Sequence, residues 1–225
     1  MEARTTPSIT PPVEDYLKAI YALSREDLDA ERVSTSAISE RMQVSAASAT
    51  NMMQRLAELK LVDYRPYQGV SLTEAGEKIA LEVIRHHRLL ELYLAEALGY
   101  SWDAVHDEAE RLEHVISEEF EDRIDAMLGH PTIDPHGHPI PPKTGPMEPA
   151  EEHRRLSDVE VGEPVVVRRV HDRDGNALRD LSSLGLFPGV ELTVVDRSAA
   201  GLLTVEHEGG RVTLKARLAR NVFVA

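Results

Sequence analysis

"STSAISERMQVSAASATNMMQRLAELKLV", Ser34 to Val62, holds two short amphipathic stretches around a tight turn. The apolar spacing predicts a helix over Thr35–Met42, a turn at Gln43–Ser45 and a second helix over Ala46–Lys60. Ala37, Ile38 and Met42 share one face of the first; Ala49, Met52, Met53, Leu56 and Leu59 share one face of the second. Ser45 suits the N-cap of the second helix. Next comes "LVDYRPYQGVSLT", which alternates about a Pro-Tyr-Gln-Gly turn and reads as a β-hairpin. Helix, turn, helix and hairpin in that order make a winged helix-turn-helix. Upstream, "TPPVEDYLKAIYALSRE" is a helix with Pro11 and Pro12 in its first turn and an apolar face of Val13, Tyr16, Leu17, Ile20, Tyr21 and Leu23. The polar loop "EDLDAERV" joins it to the pair.

In such a unit the second helix enters the major groove of DNA. Ser45, Ser48, Thr50 and Asn51 can bond phosphates or bases, Ala47 can touch a thymine methyl, and Arg55 and the hairpin's Arg65 can hold phosphates. The plainer alternative is that Ser45 caps its helix and the others are solvated; for Ser45 the cap is the better reading.

Downstream, long helices are expected from Glu74 to Leu98 and from Trp102 to Met127, broken at Gly99. "GHPTIDPHGHPIPPKTGPMEP" is too rich in Pro and Gly for a helix or a central strand and reads as a linker. His136 and His138 fall within it, and a mobile loop is a poor place for preorganised coordination. From His153 the pattern becomes short alternating strands, "EPVVVRRV", "ELTVVDR", "LLTVEHE", "RVTLKA" and "NVFVA", with a short helix at "NALRDLSSLG". That is a small β-barrel. The chain is therefore mainly α with a small all-β domain. It divides into a winged helix-turn-helix (1–76), a helical domain (77–130), a Pro-rich linker (131–152) and an SH3-like barrel (153–225).

The 225 residues contain no cysteine, so disulfides, thiolate ligands and cysteine nucleophiles are excluded. No apolar run approaches a membrane span and the N-terminus lacks a signal-peptide core, so a cytoplasmic protein is expected. The formal net charge of −14 weighs against nucleic acid. Net charge hides distribution, however. Arg32–Tyr67 carries five Lys or Arg against three acids, whereas Ser101–Asp125 carries ten acids against two bases.

Within that acidic stretch, "HDEAERLEHV" sets His106, Glu110, Glu113 and His114 at i, i+4, i+7 and i+8, on one face of a helix. Carboxylates so placed repel unless water or a cation screens them. His87 and Glu91, at i and i+4 on the preceding helix, make a two-helix metal site conceivable. There is no His-Glu-x-x-His zinc protease signature, and the Glu-x-x-His pairs of di-iron bundles are missing. A metal hydrolase would need an open coordination position and a nearby general base, and no spare base is evident. A metal buffer with a vestigial helix-turn-helix is the other alternative.

"VEDYLKAIYAL" at Val13, "RHHRLLELYL" at Arg85, "HDEAERLEHVIS" at His106, "DPHGHPIP" at Asp134 and "LSDVEVGEPVVV…LSSLGLFPGVELTVV" together resemble the diphtheria toxin repressor family of metal-dependent transcription repressors. The last stretch is similar to the SH3-like barrel that this family often carries and that ferrous transport proteins share. The resemblance implies a homodimer on double-stranded operator DNA, an inverted repeat. It implies a primary metal site of Asp15, Glu110, Glu113 and His114. An ancillary site would comprise His87, Glu91 and His106, with Asp174 as a barrel ligand. Iron-responsive members place a methionine at the position of Asp15 and a cysteine at that of Glu110. Hard carboxylates at both make this chain similar to the manganese-responsive branch, so Mn²⁺ is expected, with Fe²⁺ as the alternative. Lys18 stands where that branch often has a further glutamate, and a protonated lysine cannot ligate.

Overall fold

The computed structural model of the chain describes residues 9–26, 30–145, 147, 153–172 and 174–225. Part of the polar loop (27–29) and most of the end of the Pro-rich segment (146 and 148–152) lie outside the described residues. The chain divides into two units, Met1–Arg85 and His86–Ala225.

The first unit is built from α1 (Pro11–Glu26), α2 (Thr35–Arg41), α3 (Ala46–Glu58), β1 (Val62–Arg65), β2 (Gly69–Leu72) and the first half of α4 (Glu74–Glu96). α1 packs on α2 and β2, and α3 packs on α2 and β1. Val13, Leu17, Ile20, Ile38, Ala49, Met53, Leu56 and Val70 are fully buried, as the helical spacing requires. The helix-turn-helix forms as expected. Ser34 and Ser45 cap α2 and α3 by accepting from the amides of Ala37 and Ser48. Between the helices Gln43 turns the chain at a φ of 52°. β1 and β2 form the wing, in register from Val62↔Leu72 to Arg65↔Gly69.

In the second unit the residues expected to make one helix from Trp102 to Met127 make two, α5 (Val105–Leu112) and α6 (Glu118–Met127). The cause is Ser117, whose hydroxyl accepts from Phe120 N–H and starts a new helix. Glu113 becomes the C-cap of α5 and His114 lies in the turn after it, so the expected four-residue face is interrupted. The second half of α4 with α5 and α6 buries Leu89, Leu90, Leu94, Val105, Ala109 and Ile124.

The barrel has β3 (Arg154–Arg155), β4 (Pro164–Val170), α7 (Gly175–Ser183), β5 (Glu191–Arg197), β6 (Leu202–His207), β7 (Gly210–Lys215), α8 (Ala216–Ala219) and β8 (Val222–Val224). Its strands run antiparallel in the order β3-β8-β4-β5-β6-β7. Bulges between Val167 and Arg169 and between Val194 and Asp196 bend β4 and β5. They wrap around a core that includes Leu156, Val167, Leu178, Leu186, Val194, Val205 and Val222. Among the described residues no helix is long and apolar enough to cross a membrane.

The segment expected as a mobile linker is docked over its first dozen residues. Ile140 joins the helical core, and Val170 of β4 donates its amide to the His136 carbonyl at 2.9 Å. Gly137, at φ +89°, lies so near β4 that a Cβ there would meet the Arg168 carbonyl oxygen at 2.1 Å. Gly129, at φ +74°, has open space around it. Gly137→Ala is therefore expected to destabilise the protein by about 2 kcal/mol or more, from strain and overlap together. Gly129→Ala carries only the dihedral cost, about 1 kcal/mol. Urea unfolding of both variants measures the difference; equal losses would show that the docking does not depend on this close approach.

Candidate metal centre

α4 presents His87 and Glu91 one turn apart, both buried, with Glu91 at 0 % exposure. A carboxylate in that position must be compensated. Glu91 Oε1 lies 3.0 Å from His87 Nε2 and 3.0 Å from Nδ1 of His106 on α5. Glu91 Oε2 faces Nδ1 of His136 at 3.5 Å. His87 turns its other nitrogen to Glu113, with Nδ1 2.5 Å from Oε2. His106 Nε2 stands 3.9 Å from the Glu110 carboxylate, which is 44 % exposed.

The docked Pro-rich segment supplies the rest. Asp134 Oδ1 accepts from the backbone N–H groups of His136 and His138, at 2.8 and 2.9 Å, an Asx turn that sets both imidazoles. Asp134 Oδ2 lies 3.3 Å from His138 Nδ1, and Asp172, just past β4, reaches the same nitrogen at 3.5 Å. His136 Nε2 is 3.1 Å from the Trp102 carbonyl, an acceptor that fixes the proton on Nε2 and turns the Nδ1 lone pair toward Glu91. Trp102 in turn donates its indole N–H to the Pro135 carbonyl at 2.9 Å. Arg88 approaches Asp134 Oδ2 at 3.7 Å.

Among the described residues of the second unit, three sets of ligand-capable atoms gather within 4.8 Å: Glu91, Asp134 and His136; Glu91, His106 and Asp172; and His87, His106 and Glu110. Among the described residues, Glu91 Oε2, Asp134 Oδ2, His136 Nδ1 and His138 Nδ1 are buried with no hydrogen-bond partner. Unsatisfied buried atoms are rare in folded proteins. Carboxylate oxygens and imidazole nitrogens so placed fit a divalent cation that prefers oxygen-rich coordination.

Without a cation, the same groups compensate one another, and a cation at His136 Nδ1 would displace a proton. Burial opposes charge on Glu91, but the His87 charge and the neighbouring imidazoles of His106 and His136 outweigh it and hold the carboxyl well below its usual range. Burial likewise opposes charge on His136, yet the Glu91 carboxylate pushes its pKa up to about 9. Asp172 is also depressed: burial opposes its charge and the His138 charge overrides it. The imidazoles thus favour the ionised forms of Glu91 and Asp172.

The expected site residues fall into several groups. His87, Glu91 and His106 converge. Glu110 sits at the cluster's exposed edge, and Glu113 is buried beneath His87. His114 Nε2 lies 3.4 Å from Glu113 Oε1. Asp15 is half-buried on α1 of the first unit. Asp174, expected as the barrel ligand, instead caps α7 by accepting from the amides of Asn176 and Ala177. The barrel residue that reaches the cluster is Asp172. His136 and His138, set aside as mobile, are buried parts of the centre. The missed signal was Asp134-Pro-His-Gly-His, in which one aspartate can turn the backbone that carries both imidazoles.

On α3, Ser45 is occupied as the cap and Thr50 Oγ1 donates to the Ala46 carbonyl of its own helix. Ala47, Ser48, Asn51 and Arg55 are exposed, and the Arg65 side chain is 56 % exposed beside Asp63.

If the cluster takes the cation, Glu91→Gln and His136→Ala should each weaken Mn²⁺ binding at least tenfold in isothermal titration. Trp102, the sole tryptophan, has its ring 5.2 Å from that of His136, so Mn²⁺ should change its fluorescence in the wild type and not in His136→Ala. Full affinity in both variants would remove these residues from the ligand set.

Comparison with known proteins places this geometry in context. Residues 8–70 match the model described as iron dependent repressor, N-terminal DNA binding domain. Residues 73–142 match the iron dependent repressor, metal binding and dimerisation domain, and 154–225 match the FeoA domain. The chain is 33% identical over 222 residues to the iron-dependent repressor IdeR of Mycobacterium tuberculosis, covering 94% of this chain and 95% of that one. It is 33% identical over 221 residues to the diphtheria toxin repressor of Corynebacterium efficiens, covering 94% of each. Among solved structures, a manganese-dependent transcriptional repressor in complex with manganese is similar at a TM-score of 0.84 and 40% identity, covering 95% of this chain and 99% of that one. The manganese regulator SloR is similar at a TM-score of 0.75 and 34% identity, covering 96% and 99%. These relatives are regulators rather than enzymes. The chain belongs to the diphtheria toxin repressor family of metal-dependent transcriptional repressors.

Proposed function

We propose that the chain is a manganese-activated repressor of metal-uptake genes, acting in the cytoplasm as a homodimer on an inverted-repeat operator. The observation that carries the choice of metal is the donor set. Glu91, Asp134 and Asp172 offer oxygen, His106 and His136 offer nitrogen, and the chain has no thiolate to favour a softer ion. The family resemblance assigns Asp15, Glu110, Glu113 and His114 to a primary site, and that set is equally hard. Iron activation remains the second reading, favoured by the iron-dependent relatives named above.

A bound cation would supply positive charge that reverses the repulsion among these carboxylates. The chain's own residues do the rest. Glu113, the C-cap of α5, contributes its side chain, while His86 Nδ1 lies 3.1 Å from its carbonyl and fixes the cap. His136 offers Nδ1 because Trp102 holds Nε2. Ser48, Asn51, Arg55 and Arg65 face the operator, with Ala47 against a thymine methyl and Ser45 and Thr50 shaping the helix start. Metal activates only by binding the DNA-competent state more tightly than the other. A shift from 1:99 to 99:1 takes about 5.5 kcal/mol of differential affinity.

Gel shifts on the gene's own promoter and on transporter promoters, titrated with Mn²⁺, Fe²⁺, Zn²⁺ and no metal, test the proposal. Retardation is expected with Mn²⁺ at lower concentrations than with Fe²⁺ and not without metal. Glu113→Ala is expected to lose the metal-dependent shift while the protein stays folded and dimeric. A metal response unchanged from wild type would defeat the assignment of Glu113.

A further inference from the structure

The start of α6 is a second place where acids gather around an imidazole. Glu118, Glu119 and Glu121 lie in its first turn, where the helix dipole favours negative charge. That accounts for the exposed acids. It does not account for Glu121, which is only 2 % exposed. Glu118, Glu121 and Asp122 stand three and four residues apart and share one face of the helix.

His86 of α4 faces that group and is itself only 7 % exposed. Its Nδ1 lies 3.1 Å from the Glu113 carbonyl, which can only accept, so Nδ1 carries the proton. Nε2 is left for the acids. It stands 3.3 Å from Glu121 Oε2, and a ligand-capable atom of Glu118 lies within 4.8 Å of one on the same ring. Among the described residues, His86 Nε2 is buried with no hydrogen-bond partner. In the neutral ring that nitrogen presents a lone pair to a carboxylate oxygen, an arrangement that a cation between them resolves. A backbone carbonyl on the far nitrogen is also how metal-binding imidazoles are commonly oriented.

One positive charge already reaches this group. Lys143, on the docked Pro-rich segment, lies 3.1 Å from Glu118 and bonds Asp122, but stays 3.9 Å from Glu121. Its ammonium sides with the exposed acids and leaves Nε2 of His86 unmatched. We propose that His86 Nε2, Glu121 and Glu118 form a further divalent-cation site, separate from the cluster around Glu91, and that the Lys143 ammonium competes with the ion for it. One imidazole nitrogen with carboxylate oxygens suits an ion of the Mn²⁺ class, water completing its coordination. None of the three residues belongs to the ligand sets that the family resemblance implies.

The test counts Mn²⁺ bound per chain, across a concentration series, by equilibrium dialysis of the full chain. Glu118→Gln and Glu121→Gln are each expected to weaken one equivalent of Mn²⁺ roughly tenfold or more. Lys143→Met removes the competing charge and should tighten that same equivalent about fivefold, the upper end of what a partly exposed ion pair is worth. An ammonium that served only to tether the segment would give no such gain. In Glu91→Gln this equivalent should persist, because that substitution acts on the other cluster. The Glu118 side chain is 63% exposed and that of Lys143 39%, so their variants carry the test even if Glu121→Gln fails to fold. Mn²⁺ count and affinity unchanged from wild type in both Glu118→Gln and Lys143→Met overturn the proposal. Loss of the equivalent in Glu91→Gln also overturns it, since the ion would then belong to the Glu91 cluster.

Discussion

A carboxylate with no access to water organises the second unit. Glu91 is wholly buried, and a lone buried charge is among the most costly things a fold can hold. It is tolerated because three imidazoles from three different segments converge on it: His87 from α4, His106 from α5 and His136 from the Pro-rich segment. Each of those segments must therefore be placed to within a fraction of an ångström, and the surrounding packing serves that need. Leu89, Leu90 and Leu94 on α4 anchor the helix that bears Glu91, and Ile140 anchors the segment that bears His136.

That constraint explains why a stretch of Pro and Gly is ordered. Its backbone cannot join a helix or sheet, so its polar groups need other partners. Asp134 supplies one acceptor for two amides, His138 donates its amide to that acceptor, and the His136 carbonyl accepts from Val170 of β4. The same turn that satisfies the backbone aims His136 at Glu91 and His138 at Asp172. The barrel enters the centre through Asp172, two residues past the Val170 hydrogen bond, and the wrapped sheet gives that residue a fixed position.

Local physics made much of the fold legible. The paired helices, the Ser45 cap, the wing and the five longer barrel strands all followed from periodicity and turn chemistry, which act within a few residues. The break between α5 and α6 depended on whether Ser117 would cap a new helix or lie within one, and the surrounding pattern suited both. The centre was less legible. His87, Glu91 and His106 carry helical spacing, so their convergence could be anticipated. Asp134, His136 and Asp172 could not, because their place depends on long-range docking. Composition even pointed the wrong way, since Pro and Gly commonly mark mobile chain. The choice between Asp172 and Asp174 turned on a two-residue shift in a loop, where only the cap of α7 separates the alternatives.

On the manganese reading proposed above, the cluster around Glu91 faces a problem of selectivity. Later first-row divalent ions bind nitrogen and oxygen donors more tightly than manganese does, so affinity alone cannot make a manganese sensor. Geometry can. The donors here come from rigid elements, with His136 held by the Trp102 carbonyl and Asp134 by two amides, so they cannot contract freely around an ion that prefers four close ligands. Carboxylates outnumbering what a tetrahedral ion needs leave it with surplus negative charge in a dry pocket, whereas an ion accepting six ligands can use them. Discrimination then lies in how the whole ligand set is closed. On that same reading, Asp134 and Trp102 matter because they hold the donors in place rather than because they add affinity.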